Sequence, residues 1–106
     1  MTNAVFQRKN GRFCGFTISG HAGQAASDRN SIVCAAVSSA VQLATILITE
    51  SFQEQDEESA DGDTITVRLG SPENGNASRV LDGLYQHLEF LSEDYPGTIT
   101  IHITEV

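Results

Sequence analysis

A strand-like pattern occupies four stretches of the chain and a helical one occupies two. Ala4 to Arg8 and Phe13 to Ser19 read as strands. Asn10-Gly11 between them suits a two-residue hairpin turn, because both positions tolerate positive φ. In the second strand Cys14, Phe16 and Ile18 fall on one face by alternation, which predicts that Cys14 is a core residue. Gly20 to Asn30 follows neither period and reads as a flexible loop. A helix is expected from about Ser31 to Thr49, with Asp28, Asn30 and Ser31 as competing caps. It is apolar on nearly every face, so burial between layers is predicted. Thr64 to Leu69 alternates cleanly. From about Asn76, Ala77, Leu81, Leu84, Leu88, Leu91 and Tyr95 recur at steps of four and three, the stripe of an amphipathic helix that Pro96-Gly97 stops. Thr98 to Thr104 closes as a strand with Ile99, Ile101 and Ile103 inward. The expected fold class is α+β: a single small domain over residues 1–106, in the order β-β-α-β-α-β, its sheet packed with two helices, one of them largely buried.

Length permits this. A chain of 106 residues buries roughly two-thirds of its unfolded surface and needs no metal or disulfide staple. Fourteen acidic residues against six basic ones give a net charge of −8, which disfavours nucleic-acid binding and favours basic peptides or proteins as partners. Seven of the acids (Glu50, Glu54, Asp56, Glu57, Glu58, Asp61, Asp63) lie in one stretch, read as a solvated loop. Ile32 to Ile48 is uncharged but spans only seventeen residues and carries Ser38, Ser39, Gln42 and Thr45, so a core helix is favoured over a membrane span. The chain's start lacks the pattern of a secretory signal, and with two cysteines reduced thiols in the cytoplasm are expected.

The chemistry concentrates around Gly20-His21 and Cys34. Cys34 is expected in the first helical turn, where unpaired N–H groups and the macrodipole favour a thiolate. A nearby His could take the thiol proton and return it to a leaving amine, and the same N–H groups could hold an oxyanion. A lone Cys in an Ala/Val-rich helix is ordinarily a core filler, and a lone His after Gly ordinarily a turn residue. Their joint placement at a loop hinge and a helix start sets catalysis level with those readings. His87 is expected on the surface, and His102, opposite in alternation to Ile101 and Ile103, away from the core. One Cys and one His do not make the three or four ligands zinc requires, so no metal or other cofactor is expected.

The pair GHAG at 20–23 and SIVCAAVS at 31–38 resembles the Prp family of ribosomal-processing cysteine proteases, whose motifs are Gly-His-Ala, a loop, and D/S-x-x-C-A-A-x-S opening a helix. The resemblance implies a His21–Cys34 dyad in a cysteine endopeptidase. It also implies a loop, here with Gly20, Ala22 and Gly23, that orders around the substrate. The implied substrate is the N-terminal extension of large-subunit ribosomal protein twenty-seven, a basic precursor, and the implied assembly is a homodimer. Many relatives carry Asp where this chain has Ser31, so an orienting carboxylate for His21 is missing there; Ser31 and Asp28 are the supporting candidates. The alternative is a non-catalytic ribosome-associated assembly or binding module with an inert thiol.

Overall fold

The computed structural model describes residues 1–20 and 28–106, with side chains for 1–20 and 30–106. Strands β1 (Thr2–Lys9) and β2 (Arg12–Ser19) are followed by helix α1 (Asp28–Ile46), which runs on into a π-helical turn at Leu47–Ser51. Strands β3 (Asp56–Asp61) and β4 (Thr64–Leu69), helix α2 (Asn76–Asp94) and strand β5 (Ile99–Glu105) complete the chain. The sheet order is β3-β4-β2-β1-β5, with β1 and β5 parallel and the other neighbours antiparallel. The α+β class, the two helices on a sheet and the sequence of the expected elements are as the periodicity predicts. Asn10 and Gly11 both take positive φ (54° and 79°), as the first turn requires.

One face of the sheet carries the core. Ala4 and Phe6 of β1, Phe16 and Ile18 of β2, Val67 of β4 and Ile99 of β5 are buried there. They pack against Val33, Val37, Val41 and Ala44 of α1 and Ala77, Leu81, Leu84 and Leu88 of α2 in a single cluster. Phe6 is its centre, with ring centroids 5.3 Å from Phe13, 5.8 Å from Phe16 and 5.4 Å from Tyr85, the last edge-on.

Three expectations are corrected. First, Cys14 is not in the core. Gln7 pairs with Gly15 but Arg8 with Phe13, leaving Cys14 as the extra residue of a β-bulge. The bulge resets the alternation and turns Phe13 to the helical side. Cys14 is left half-buried beside Gln7, Thr17, Thr66 and Arg68, its Sγ donating to the Gln7 carbonyl at 3.5 Å.

Second, the acidic stretch is solvated but is not a loop. β3 pairs with β4 along its whole length and forms a sheet edge whose charges discourage pairing with another chain. On the outer face Glu57 stands opposite Arg68. Asp56 and Glu58 share the other face, where burial, and after it the Glu58 charge, push the Asp56 carboxyl up to about 6. Asp56 Oδ2 and both Glu54 carboxylate oxygens are shielded from water and accept no hydrogen bond from the described residues.

Third, α1 is not largely buried. Residues Asn30–Ser51 have the length and hydropathy to cross a bilayer, but one stripe of this helix is committed to the protein core. The opposite side stays open: Ile32, Leu43 and Ile46 are 52%, 58% and 45% exposed. An apolar groove of about 590 Å³ runs between α1 and α2, lined by Ala36, Ala40, Leu43, Leu47, Val80 and Leu84 among others. A single sheet can cover only one side of a helix, and the second helix lies beside α1 instead of over it.

Asp56 gives a pH signature. Its folded-state affinity for a proton lies near pH 6 against an ordinary value of 3.8. Between those values the folded protein binds more protons than the unfolded chain, so this group's contribution favours folding below that window and is lost as pH rises through it. Asp56→Asn is therefore expected to stabilise the protein, relative to the parent, more at pH 7 than at pH 4 in urea unfolding. An equal difference at both pH values would contradict this assignment.

Candidate active site

Gly20 directly follows β2 with φ of 82°, and a Cβ there would collide with the Met1 carbonyl oxygen. Only glycine fits a chain leaving the sheet this close to the start of β1. Across from it, α1 presents Val33 and Val37 to the core, and Cys34 lies at the edge of that stripe, half-buried. Gly20 and Cys34 line one cavity of about 170 Å³. Its lining includes apolar Ile18, Val37, Val41 and Ile65 and the more polar Thr2, Ser38, Gly62 and Asp63.

The described helix already includes Asp28, about one turn before the start expected near Ser31. Cys34 is thus at least the seventh helical residue and sits beyond the first turn. In an α-helix beginning at Asp28 the free N–H groups belong to the first turn, and those from Ile32 onward enter the helix's own hydrogen-bond ladder. The N–H groups after Ser31 are not free to hold an oxyanion. The macrodipole argument also weakens, since that effect fades beyond the first turn. Ser31 is exposed and lies three residues before Cys34, on the same side of the helix. Asp28 opens the helix, and its side chain lies outside the described residues, as do His21, Ala22 and Gly23.

Ser38, named above only within the motif, and Asp63, named only within the acidic stretch, also line the cavity. Ser38 stands one turn below Cys34, and its i+4 spacing was available as a signal. Gly62-Asp63 forms the two-residue turn between β3 and β4, since Asp61 pairs with Thr64. Gly62 takes φ of 62° and Asp63 has no positive φ, the pattern of a hairpin turn with glycine in the first central place. The Gly62-Asp63 dipeptide was the signal for this hairpin. It was masked by the carboxylates of β3, which are poor strand formers. Asp63 is exposed, and among the described residues it accepts from the Thr64 hydroxyl at 3.5 Å, at the limit of a hydrogen bond. His87 and His102 are both exposed, as expected, and neither lines this cavity. Among the described residues no three His, Cys, Asp or Glu side chains gather as metal ligands would.

The fold as a whole has solved counterparts. A Staphylococcus aureus structure described as an essential ribosomal processing protease Prp in complex with a substrate peptide superposes with a TM-score of 0.89 at 19% identity, covering 98% of this chain and 100% of that one. The same protease with a covalently linked product peptide gives 0.86 at 20% identity, with the same coverage. SMU.848 from Streptococcus mutans gives 0.85 at 21%, covering 100% and 99%. No curated protein sequence matches the chain. The family model for the cysteine protease Prp matches residues 1–100. A match over nearly the whole length, on a fold that brings Gly20 and Cys34, one residue from each motif, to one cavity, establishes that this chain belongs to the cysteine protease Prp family.

Proposed function

We propose that this peptidase removes the N-terminal extension of large-subunit ribosomal protein twenty-seven in the cytoplasm, with Cys34 as nucleophile and His21 as base. The observation that carries the reading is the cavity shared by Cys34 and Gly20, the residue covalently joined to His21. Because each of the two motifs contributes a residue to this one cavity, the pairing of their His and Cys is supported. The family is one of cysteine proteases, which makes the protein an enzyme and not an inert assembly module.

In this mechanism the Cys34 thiol proton passes to His21 as sulfur attacks the scissile carbonyl carbon. His21 then protonates the departing amine, and the C–N bond breaks to leave a thioester on Cys34. Water adds to the thioester and gives its proton to His21, which returns it to sulfur as the acid product leaves. With α1 beginning at Asp28, activation of the thiol rests chiefly on the imidazole, because Cys34 lies beyond the helical first turn. The net charge of −8 suits a basic substrate, with attraction that salt should weaken. The product peptide covalently linked to the Staphylococcus aureus relative is in keeping with a covalent intermediate.

The uncovered side of α1 supports a homodimer. Exposed Ile32, Leu43 and Ile46, with Leu43 lining the largely apolar groove, give α1 an uncovered apolar side of the kind that protein interfaces cover. Sedimentation equilibrium should return twice the chain mass, and Leu43→Glu should return the chain mass with helical content retained. A monomeric parent protein would refute the dimer and leave catalysis untouched.

Incubation with the extended ribosomal protein, followed by mass spectrometry, tests the activity. A single cut releasing the extension is expected. Cys34→Ala should slow it by at least about a thousandfold, as removal of a covalent nucleophile does, and Cys14→Ala should leave it unchanged, since Cys14 lies beyond the sheet from the cavity. Cleavage that survives Cys34→Ala would discard the mechanism.

A further inference from the structure

We propose that the start of α2 binds a phosphate group, either free or carried by a small phosphate ester. A cavity of about 410 Å³ there is lined by Arg12, Asn74, Asn76, Ser78, Arg79 and Asp82, with two glycines between them. Two of the chain's six basic residues thus meet at one hollow in a protein of net charge −8. This cavity shares no lining residue with that of Cys34. Arg12 begins β2 and Gly20 follows its end, so the length of the strand, about 25 Å, lies between them. The site stands whether or not Cys34 is the nucleophile.

The helix start is open. A short 3-10 turn at Pro72–Asn74 leads into α2, and Gly75 at the cap position brings no side chain to close it. The Arg79 N–H is taken by the Gly75 carbonyl. Among the described residues nothing accepts from the N–H groups of Asn76, Ala77 and Ser78, and no acidic side chain stands in the first turn. Ala77 and Ser78 are only 1% and 4% exposed, so little of this turn reaches bulk water.

A second observation does not depend on the backbone. The hydroxyl of Ser78 has no hydrogen-bond partner among the described residues, although the residue is buried. The unpartnered side-chain atoms that are sealed from water belong to Glu54 and Asp56, not to Ser78. Its hydroxyl therefore opens onto the cavity that it lines. A buried hydroxyl without a partner is costly, and a ligand oxygen would relieve it.

The donors suit a group that only accepts. Arg12 is steadied by Nη1 donating to the Glu73 carbonyl at 2.6 Å, which leaves its other N–H groups available. Arg79 forms no ion pair among the described residues, with Asp82 or any other acid. Three N–H groups, a hydroxyl and two guanidinium groups, arriving from α2 and β2, match the several oxygens of a phosphate. Asp82 opposes an anion, but the two arginines outweigh it by one charge. The volume lies within the range of small-ligand pockets, leaving room for the organic part of an ester.

Amide chemical shifts of the whole chain test this at constant ionic strength. Inorganic phosphate, glycerol 3-phosphate and acetate are each titrated into the parent and into Arg12→Gln, Arg79→Gln, Asp82→Asn and Arg68→Gln. Both phosphates are expected to shift the amides of Asn76, Ala77 and Ser78 to saturation, at concentrations where acetate does not. Arg12→Gln and Arg79→Gln should each weaken binding by about tenfold, the scale of one charge-assisted contact. Asp82→Asn should tighten it, and Arg68→Gln, which removes the same charge from the other face of the sheet, should leave it unchanged. A misfolded variant would lose the dispersion of its spectrum and would not reproduce the gain expected of Asp82→Asn. Tighter binding of glycerol 3-phosphate identifies an ester as the source, and tighter binding of inorganic phosphate identifies the free ion. Shifts that never saturate, that spread evenly over the surface, or that are the same in both arginine variants as in the parent would overturn the site.

Discussion

The contact on which the structure depends is the packing of one stripe of α1 on the sheet. Val33, Val37, Val41, Ala44 and, beyond the helix proper, Ile48 are at most 7% exposed and meet Ala4, Phe6, Phe16, Ile18 and Val67. Burying such side chains is worth about 1.5–3 kcal/mol each, enough to fix the rotation of the helix about its axis. Once that rotation is fixed, Cys34 has no choice of direction. As the residue between Val33 and the Ala35–Ala36 pair, it must fall at the border between core and solvent, facing the end of β2. A nucleophile is wanted at such a border, shielded enough to be held still and open enough to be reached.

The edge strand shows how charge and pairing are reconciled. Asp56, Glu57 and Glu58 are consecutive carboxylates with low strand propensity, yet they pair with β4 because a two-residue turn at Gly62-Asp63 holds the register and Arg68 answers Glu57 across the ladder. The cost appears in Asp56, whose carboxyl keeps its proton toward pH 6 instead of ionising beside Glu58. In return, the acidic edge is a poor template for aggregation, and its turn arrives at the cavity of Cys34.

Much of this was legible in the residues. The Asn10-Gly11 turn, the α2 stripe from Ala77 to Tyr95 and the alternation of β4 and β5 each arise from local sequence, and each stands in the fold as the pattern predicts. The failures have a common physical origin, in that tertiary pairing overrode a local signal. Cys14 was placed in the core by alternation, but a bulge shifts the count by one residue, and nothing within Phe13 to Ser19 announces it. β3 was read as loop because its residues favour solvent, and only its partner makes it a strand. The helix was expected from about Ser31, with Asp28 among the competing caps, and the described helix already includes Asp28. The apolar surround of α1 implied burial, but a lone chain has no second layer to supply it. At the candidate site, Gly20 and Cys34 were legible through their motifs. Asp63 was not, since it reaches the cavity only through the β3–β4 hairpin.

The account's central claim is that the sulfur of Cys34 is made reactive by the imidazole that follows Gly20. The most direct measurement is the rate of iodoacetamide alkylation at each cysteine, followed site by site by mass spectrometry at neutral pH. Cys34 should be modified faster than Cys14, and His21→Ala should slow Cys34 while leaving Cys14 unaffected. Equal rates at the two thiols, or a Cys34 rate indifferent to His21→Ala, would contradict it.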